Sequence, residues 1–155
     1  MLSEKLVEVL AAVEVLHLPT TVELRRAYRH VGTALDYMRA HFSDIDTMVE
    51  VADACGISTR TLESAFRLVL GTRPYAVLTA FRLEEARRLL SRPDSAPTVT
   101  EAAIACGFSH LGRFAAAYRA RFGEAPSTTR SRRGAVRHGP KDTARTFFQG
   151  AAEFG

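Results

Sequence analysis

Segment 59–70 carries a row of side chains that can hydrogen-bond, at a spacing that places them together on one face of a helix. They are Arg60, Glu63, Ser64 and Arg67. The opposite face is apolar and should be buried, with Leu62, Ala65, Phe66 and Val69 at helical spacing. A helix with such a polar, partly cationic face can lie in the major groove of DNA and hydrogen-bond there. The segment is therefore a candidate for nucleic-acid recognition.

The residue types that catalysis or metal binding would need are scattered. The histidines have no pair at i, i+4; they are His17, His30, His41, His110 and His138. The chain lacks Gly-x-Gly-x-x-Gly, the phosphate-loop pattern and a nucleophile turn. Cys55 and Cys106 are too few for a zinc site, and we expect both to be small buried hydrophobes in a reducing compartment. We expect no catalytic residue, no metal and no cofactor.

The chain repeats one pattern 51 residues apart. The first copy runs from Thr47 to Ser58 and the second from Thr98 to Ser109, and each contains Ala-Cys-Gly near its end. After the serine the copies still align, with one extra residue in the second. The matched pairs are Leu62 with Phe114, Phe66 with Tyr118, Gly71 with Gly123, and Pro74 with Pro126. The duplication predicts two similar structural units.

Each copy predicts a helix, a tight turn and a second helix. Threonine followed three residues later by glutamate, in 47–50 and again in 98–101, has the spacing of a capping box that begins a helix. Gly56 and Gly107 should end that helix, because glycine adopts the left-handed conformation without steric cost. A serine, which is a favoured N-cap, should begin the second helix at Ser58 and at Ser109. This order is that of a helix-turn-helix.

The second helix of the second copy has a less polar outer face. The residues that should be buried are Phe114, Ala117, Tyr118 and Phe122. Opposite them lie Gly112, Arg113, Ala116 and Arg119.

Three stretches extend the pattern beyond the two turns. They read Gly-Ile-Ser…Leu…Phe…Gly…Pro-Tyr in the first copy, Phe81-Arg82-Leu83…Ala86…Leu89-Leu90 between the copies, and Ala-Cys-Gly-Phe-Ser-His-Leu-Gly-Arg-Phe…Tyr…Phe-Gly-Glu-Ala-Pro-Ser in the second. Their combination, over roughly residues 32–133, resembles the DNA-binding domain of the AraC/XylS transcription regulators. The resemblance implies an all-α domain of seven helices, in which two helix-turn-helix subdomains are joined by a long linker helix. It also implies a sequence-specific transcription regulator with two recognition helices. A linker helix of about 17 residues spans about 25 Å, so one chain could read two successive major grooves with those helices.

The family motif assigns candidate contacts residue by residue. In the first recognition helix the base contacts would be Arg60, Glu63 and Ser64; in the second they would be His110, Gly112, Arg113 and Ala116. The phosphate contacts would be Thr59, Thr61, Arg67, Arg119, Arg121, Arg130, Arg132 and Arg133. In the second helix, Leu111, Gly112, Ala115 and Ala116 fall where many members carry polar groups. We therefore expect the second motif to act mainly as an anchor.

Charge is unevenly distributed along a chain whose net charge is +4. Residues 1–58 hold five Lys or Arg and nine Asp or Glu. Residues 107–145 hold nine Lys or Arg and two Asp or Glu, which gives a net charge of +7. A polyanion should be drawn to the second half, and the expected partner is double-stranded DNA. RNA polymerase and a second copy of the chain, through a missing or N-terminal region, are further candidate partners. The alternative function is a helical protein–protein interaction module without DNA specificity of its own.

The boundaries follow from helix signals and from composition. Residues 1–31 predict an N-terminal helix from Ser3, ended by Pro19 and the Thr20-Thr21 pair, and then a linker or short helix with Arg25, Arg26 and Arg29. That region is a candidate for the end of a missing sensor or dimerisation domain. The domain proper spans 32–133: subdomain one at 32–73 opens with a helix around 32–42, the linker helix covers about 74–91, and subdomain two covers 97–133. Residues 134–155 predict a flexible tail, basic and then apolar.

No apolar run is long enough to span a bilayer, and the N-terminus lacks a signal-peptide pattern. We expect a cytoplasmic, nucleoid-associated protein without a membrane partner.

Overall fold

The computed structural model describes residues 19–92 and 96–132, and all regular structure within these ranges is helical. The described helices are α1 (Thr21–His41), α2 (Met48–Ala54), α3 (Thr59–Leu70), α4 (Pro74–Leu90), α5 (Val99–Ala105), α6 (Leu111–Phe122) and α7 (Pro126–Ser131). The predicted all-α architecture is confirmed, with helix pairs α2–α3 and α5–α6 on either side of the linker helix α4. The predicted N-terminal helix from Ser3 and the tail at 134–155 lie outside the described residues.

The first helix begins about eleven residues earlier than predicted. Thr20 caps α1: its hydroxyl accepts from the Glu23 amide at 3.3 Å, and the Glu23 carboxylate accepts from the Thr20 amide at 2.7 Å. Arg25 and Arg29 therefore lie within a continuous 21-residue helix. Where the sequence predicted a linker or short helix and then a helix around 32–42, the structure has one long helix, because the Thr-x-x-Glu signal that begins the other motif helices also operates here.

The two helix-turn-helix units begin with the same capping box and differ at the start of their second helices. Glu50 and Glu101 accept from the cap amides of α2 and α5 at 2.9 and 2.7 Å, which confirms the predicted capping boxes. Ser58 caps α3 through the Thr61 amide at 3.1 Å. Ser109 does not cap α6, contrary to prediction. The cap residue is His110, which makes no side-chain cap hydrogen bond, so the extra residue of the second copy lengthens the turn by one.

Each unit has its own hydrophobic core, and α4 contributes to both. Leu78 of α4 belongs to the first core, together with Met38, Leu62 and Phe66 among others. Leu83, Ala86 and Leu90 belong to the second, which also contains Ala102, Ala103, Cys106, Phe114 and Tyr118. The linker helix thus packs into the hydrophobic cores of both subdomains.

The second core also contains a buried polar chain. The Tyr118 hydroxyl donates to the Thr129 hydroxyl at 2.9 Å, and Thr129 donates to the Glu124 carboxylate at 2.7 Å. These bonds join α7 to α6, so the short last helix is held by directed contacts as well as by packing.

The two cysteines should differ sharply in reactivity. Cys106 is fully buried, and this burial raises the pKa of its thiol to about 11. Cys55 is only half-buried, although desolvation raises the pKa of its thiol as well. Because the thiolate is the reactive form, a disulfide reagent at about pH 8 should label Cys55 in the native protein and Cys106 only after denaturation. Labelling of Cys55→Ser at the wild-type rate would contradict this assignment.

Candidate nucleic-acid interface

One surface of α3 gathers most of the contacts predicted for the first motif. A shallow, open depression of about 450 Å³ is lined by Thr59, Arg60, Glu63, Ser64 and Arg67. Its floor is the outer face of α3, because Leu62, Ala65 and Phe66 of the same helix are buried in the first core. The structure therefore brings the three predicted base contacts, Arg60 included, onto one surface with two of the predicted phosphate contacts.

The charges on this surface are not equivalent. Arg67 pairs with Glu63 one turn earlier, with 3.6 Å between a guanidinium nitrogen and a carboxylate oxygen. Arg60 makes no ion pair or hydrogen bond with another described residue. Thr61 is held at the helix start, where its hydroxyl lies 2.9 Å from that of Ser58. Within the described ranges Arg60 is thus the unengaged cation at the N-terminal end of the helix, whereas Arg67 lies beside a carboxylate.

The corresponding face of α6 is open and less polar. His110, Leu111, Gly112, Arg113 and Ala116 are all exposed, so the structure places every predicted base contact of the second motif at the surface. Arg113 forms no ion pair with any residue in the described ranges. A Cβ added at Gly112 would meet no atom within 4 Å, so packing within the protein does not require glycine there.

The predicted phosphate contacts of the second half fall into two groups. Three already have intramolecular partners: Arg121 pairs with Glu84 at 2.8 Å, Arg132 pairs with Glu124 at 2.7 Å, and Arg130 donates to the Pro97 carbonyl at 3.0 Å. Arg119 is exposed and has no such partner among the described residues. Arg133 lies outside the described residues. Arg119 is therefore the anchor candidate that is least committed to the fold.

Arg82 is a structurally important residue whose role the sequence reasoning missed. It is buried, and its guanidinium donates to the Phe42 carbonyl at 2.7 Å and to the Ile45 carbonyl at 2.6 Å. The signal available in the sequence was an arginine flanked by the apolar residues Phe81 and Leu83.

The ranges 19–92 and 96–132 contain no cluster of three or more His, Cys, Asp or Glu side chains placed to hold a metal ion. Among the helices of those ranges, none has the length and apolar character needed to cross a membrane.

Comparison with known proteins agrees with this architecture. Residues 51–132 match the family described as a helix-turn-helix domain. The "Probable thc operon regulatory protein" of Rhodococcus erythropolis is 43% identical over 98 residues, which cover 63% of this chain and 30% of that protein. "XylDLEGF operon transcriptional activator 2" of Pseudomonas putida is 40% identical over 86 residues, 55% of each chain.

Solved structures show the same fold. A crystal structure titled as a probable AraC family transcriptional regulator from Rhodopseudomonas palustris CGA009 is 39% identical, with a TM-score of 0.64 over 68% of this chain and 97% of that one. The DNA-binding domain of AdpA, solved in complex with a target DNA, is 26% identical, with a TM-score of 0.57 over 73% of this chain and 97% of that one.

The fold and its two motifs define a double helix-turn-helix domain of the kind found in DNA-binding transcription regulators. The chain belongs to the AraC/XylS family, as its sequence motifs predicted. It spans 30% of the length of the Rhodococcus relative and 55% of the Pseudomonas one.

Proposed function

We propose that this protein regulates transcription by binding one asymmetric DNA site, with α3 and α6 in two successive major grooves. The observation that carries the proposal is the outer face of α3, where Arg60, Glu63 and Ser64 line one open depression on a capped helix. The linker helix α4 contains 17 residues, a length of about 25 Å at roughly 1.5 Å per residue. With the radius of each subdomain added, we expect the two recognition helices to lie about one DNA turn apart, roughly 34 Å.

The base-reading roles follow from side-chain chemistry. Arg60 donates two hydrogen bonds to guanine O6 and N7, Glu63 accepts from a cytosine amine, and Ser64 bonds to either kind of edge. In the second groove Arg113 and His110 supply the hydrogen bonds, while Ala116 contacts a thymine methyl. Gly112, which packing leaves free to vary, allows close approach of the α6 backbone to the DNA.

We rank the phosphate-binding roles by whether each side chain already has a hydrogen-bond or ion-pair partner within the protein. Thr59, Thr61 and Arg67 border the first groove, and Arg119 is the principal anchor of the second half. The cations with internal partners, Arg121, Arg130 and Arg132, add positive potential near the DNA backbone. Arg133, the next residue in the sequence, is proposed as a further phosphate contact. Phosphate contacts fix the position and orientation of a protein on the duplex without reading sequence.

The domain boundaries and remaining partners are proposed as follows. Subdomain one covers about 32–73, preceded by the first half of α1, the linker helix covers about 74–91, and subdomain two covers about 97–133. The protein works in the cytoplasm on nucleoid DNA and has no enzymatic activity. The greater length of its relatives favours a sensor or dimerisation domain on the same chain, through which a homodimer forms, and RNA polymerase is the proposed protein partner.

A base-pair scan tests the proposal. A preferred site would be selected from random duplexes, and every base pair in it would then be substituted and titrated by fluorescence anisotropy. Sensitivity should fall into two clusters about one turn apart. The cluster under residues 59–67 should be the stronger, because a good bidentate contact gives about 1–3 kcal/mol of discrimination and the α6 face is poorer in such groups.

Two outcomes would count against parts of this reading. Equal or reversed clusters would show that the second motif gains specificity from DNA shape or backbone contacts. Failure to enrich any site, together with binding to a protein partner, would favour the interaction-module alternative.

A further inference from the structure

The turn of the second helix-turn-helix is pressed against the first subdomain. Gly107 lies in this turn at φ +79°, and a Cβ added there would stand 2.5 Å from the Ser43 carbonyl oxygen and 2.9 Å from Cζ of Arg82. Ser43 belongs to the loop between α1 and α2, and Arg82 lies midway along α4. The backbone of Gly107 in the second subdomain thus lies close to the backbone of Ser43 in the first, and the buried Arg82 guanidinium lies beside both. We call Ser43, Arg82 and Gly107 the junction.

Arg82 holds the first subdomain's side of the junction by directed bonds. Its guanidinium is part of a residue only 6% exposed, and it donates to the carbonyls of Phe42 and Ile45, on either side of Ser43. Phe42 in turn packs against both hydrophobic cores. Hydrogen bonds from a cation are strong and directional, so the loop has little freedom to slide along α4.

The duplicated sequence supplies an internal comparison. Gly56 is the counterpart of Gly107 in the first motif and has a similar conformation, φ +65°. A Cβ added at Gly56 would meet nothing within 4 Å. The close approach at Gly107 is therefore a feature of how the two subdomains meet and is not required by the helix-turn-helix turn itself.

We propose that the junction is a positioning device: it fixes the distance and angle between α3 and α6, and so sets the spacing of the two DNA contact clusters that the protein accepts. The inference rests on the proposed function and deepens it, since it assigns spacing specificity to residues that touch no DNA. Inserting one base pair between the clusters moves the second by about 3.4 Å and turns it by about 35°. A rigid pair of recognition helices cannot follow that change.

The first test measures spacing preference. Sites with the native spacing, one base pair added and one removed would be titrated with the wild type, Arg82→Met and Arg88→Met. Arg88 is the matched control, because it is exposed on the same helix and pairs within that helix with Glu85. The wild type and Arg88→Met should favour native spacing by roughly tenfold or more, whereas Arg82→Met should lose most of that preference. Equal weakening by Arg82→Met at every spacing would overturn the proposal, because it would show a contribution to stability alone.

A second pair of variants covers the case in which Arg82→Met fails to fold. Gly107→Ala and Gly56→Ala both place a side chain at positive φ, so both carry backbone strain. Only Gly107→Ala also pushes the junction apart. It should change the preferred spacing while Gly56→Ala leaves it unaltered. If Gly107→Ala and Gly56→Ala preferred the same spacing of the two contact clusters, the proposal would be overturned.

A distance measurement without DNA separates this inference from the proposed function. Spin labels would be placed on the recognition helices through Leu68→Cys and Ala120→Cys, both exposed positions, in a chain carrying Cys55→Ser and Cys106→Ala. Pulsed dipolar spectroscopy should give a narrow distance distribution that Arg82→Met broadens and Arg88→Met does not. A distribution that Arg82→Met leaves unchanged would overturn the junction whatever the DNA result. Broadening in a chain that bound no duplex would uphold the rigid junction and overturn the DNA-binding proposal alone.

Discussion

Affinity for duplex DNA should fall about a thousandfold as salt rises from about 50 to 200 mM, if the protein neutralises roughly six phosphates. Each neutralised phosphate releases counterions, so the logarithm of the association constant declines linearly with the logarithm of salt concentration. The excess positive charge of residues 107–145, a net +7, should supply most of that slope. Fluorescence-anisotropy titrations of the full chain on random and selected duplexes, at several salt concentrations, measure it.

The tail provides a control for this salt dependence. Residues 134–155 carry Arg137, Lys141 and Arg145. A chain ending at residue 133 keeps both motifs, so it should retain a steep slope, reduced by at most about one unit for each phosphate that the tail neutralises. Binding that is insensitive to salt, or no binding to random duplex at about 50 mM, would contradict a phosphate-anchored complex.

Arg60→Ala should cost roughly 1–3 kcal/mol at the preferred site and little on random DNA, whereas Arg119→Ala should weaken both about equally. The reason lies in their positions. Arg60 has no partner among the residues that the structure describes and lies on the outer face of α3, near the end of the helix that reaches base edges. Arg119 is an exposed cation in the last turn of α6, further from the bases. Anisotropy titrations of each variant on the selected and random duplexes give the two ratios, and Arg119→Ala should also flatten the salt slope by about one unit.

The conservative variant Arg60→Lys sharpens this comparison. Lysine keeps the positive charge but lacks the rigid planar fork of the guanidinium, which is matched to two acceptors at once. It should therefore bind random DNA as the wild type does and still lose discrimination at the selected site. If Arg60→Ala weakened selected and random DNA by the same factor, its role would be that of a phosphate contact.

Features set by neighbouring residues were predictable from the sequence. The capping boxes at 47–50 and 98–101 and the glycine turns depend on groups three to five residues apart, and the structure confirms them. The start of α1 at Thr21 was missed although Thr20 and Glu23 carry the same signal. Pro19 and two consecutive threonines had been interpreted as the end of a preceding helix. The same residues carry a helix-ending signal and a helix-starting capping box, and in the structure the capping box of Thr20 and Glu23 begins a helix.

Features that join distant parts of the chain were not predictable from one sequence. The bonds from Arg82 to the carbonyls of Phe42 and Ile45 link residues 40 and 37 positions apart, and the Arg121–Glu84 pair links residues 37 apart. The chemistry of an arginine is the same in a phosphate contact and in an internal ion pair. Only the fold decides between them, which is why Arg121 and Arg132 were predicted as phosphate contacts without their intramolecular partners.

Because α4 contributes side chains to both hydrophobic cores, the domain cannot be divided at either end of this helix without exposing apolar residues. Leu78 completes one core, while Leu83, Ala86 and Leu90 of the same helix complete the other. A cut before Pro74 would strip the first core of Leu78, and a cut after Leu90 would leave three apolar side chains without cover. The two halves repeat one sequence pattern, yet each needs residues of α4 to complete its core, so we expect neither to fold when the other is removed together with α4. Substitutions on the outer faces of α3 and α6 leave both cores intact, so these faces are where DNA preference can be changed without dividing the domain.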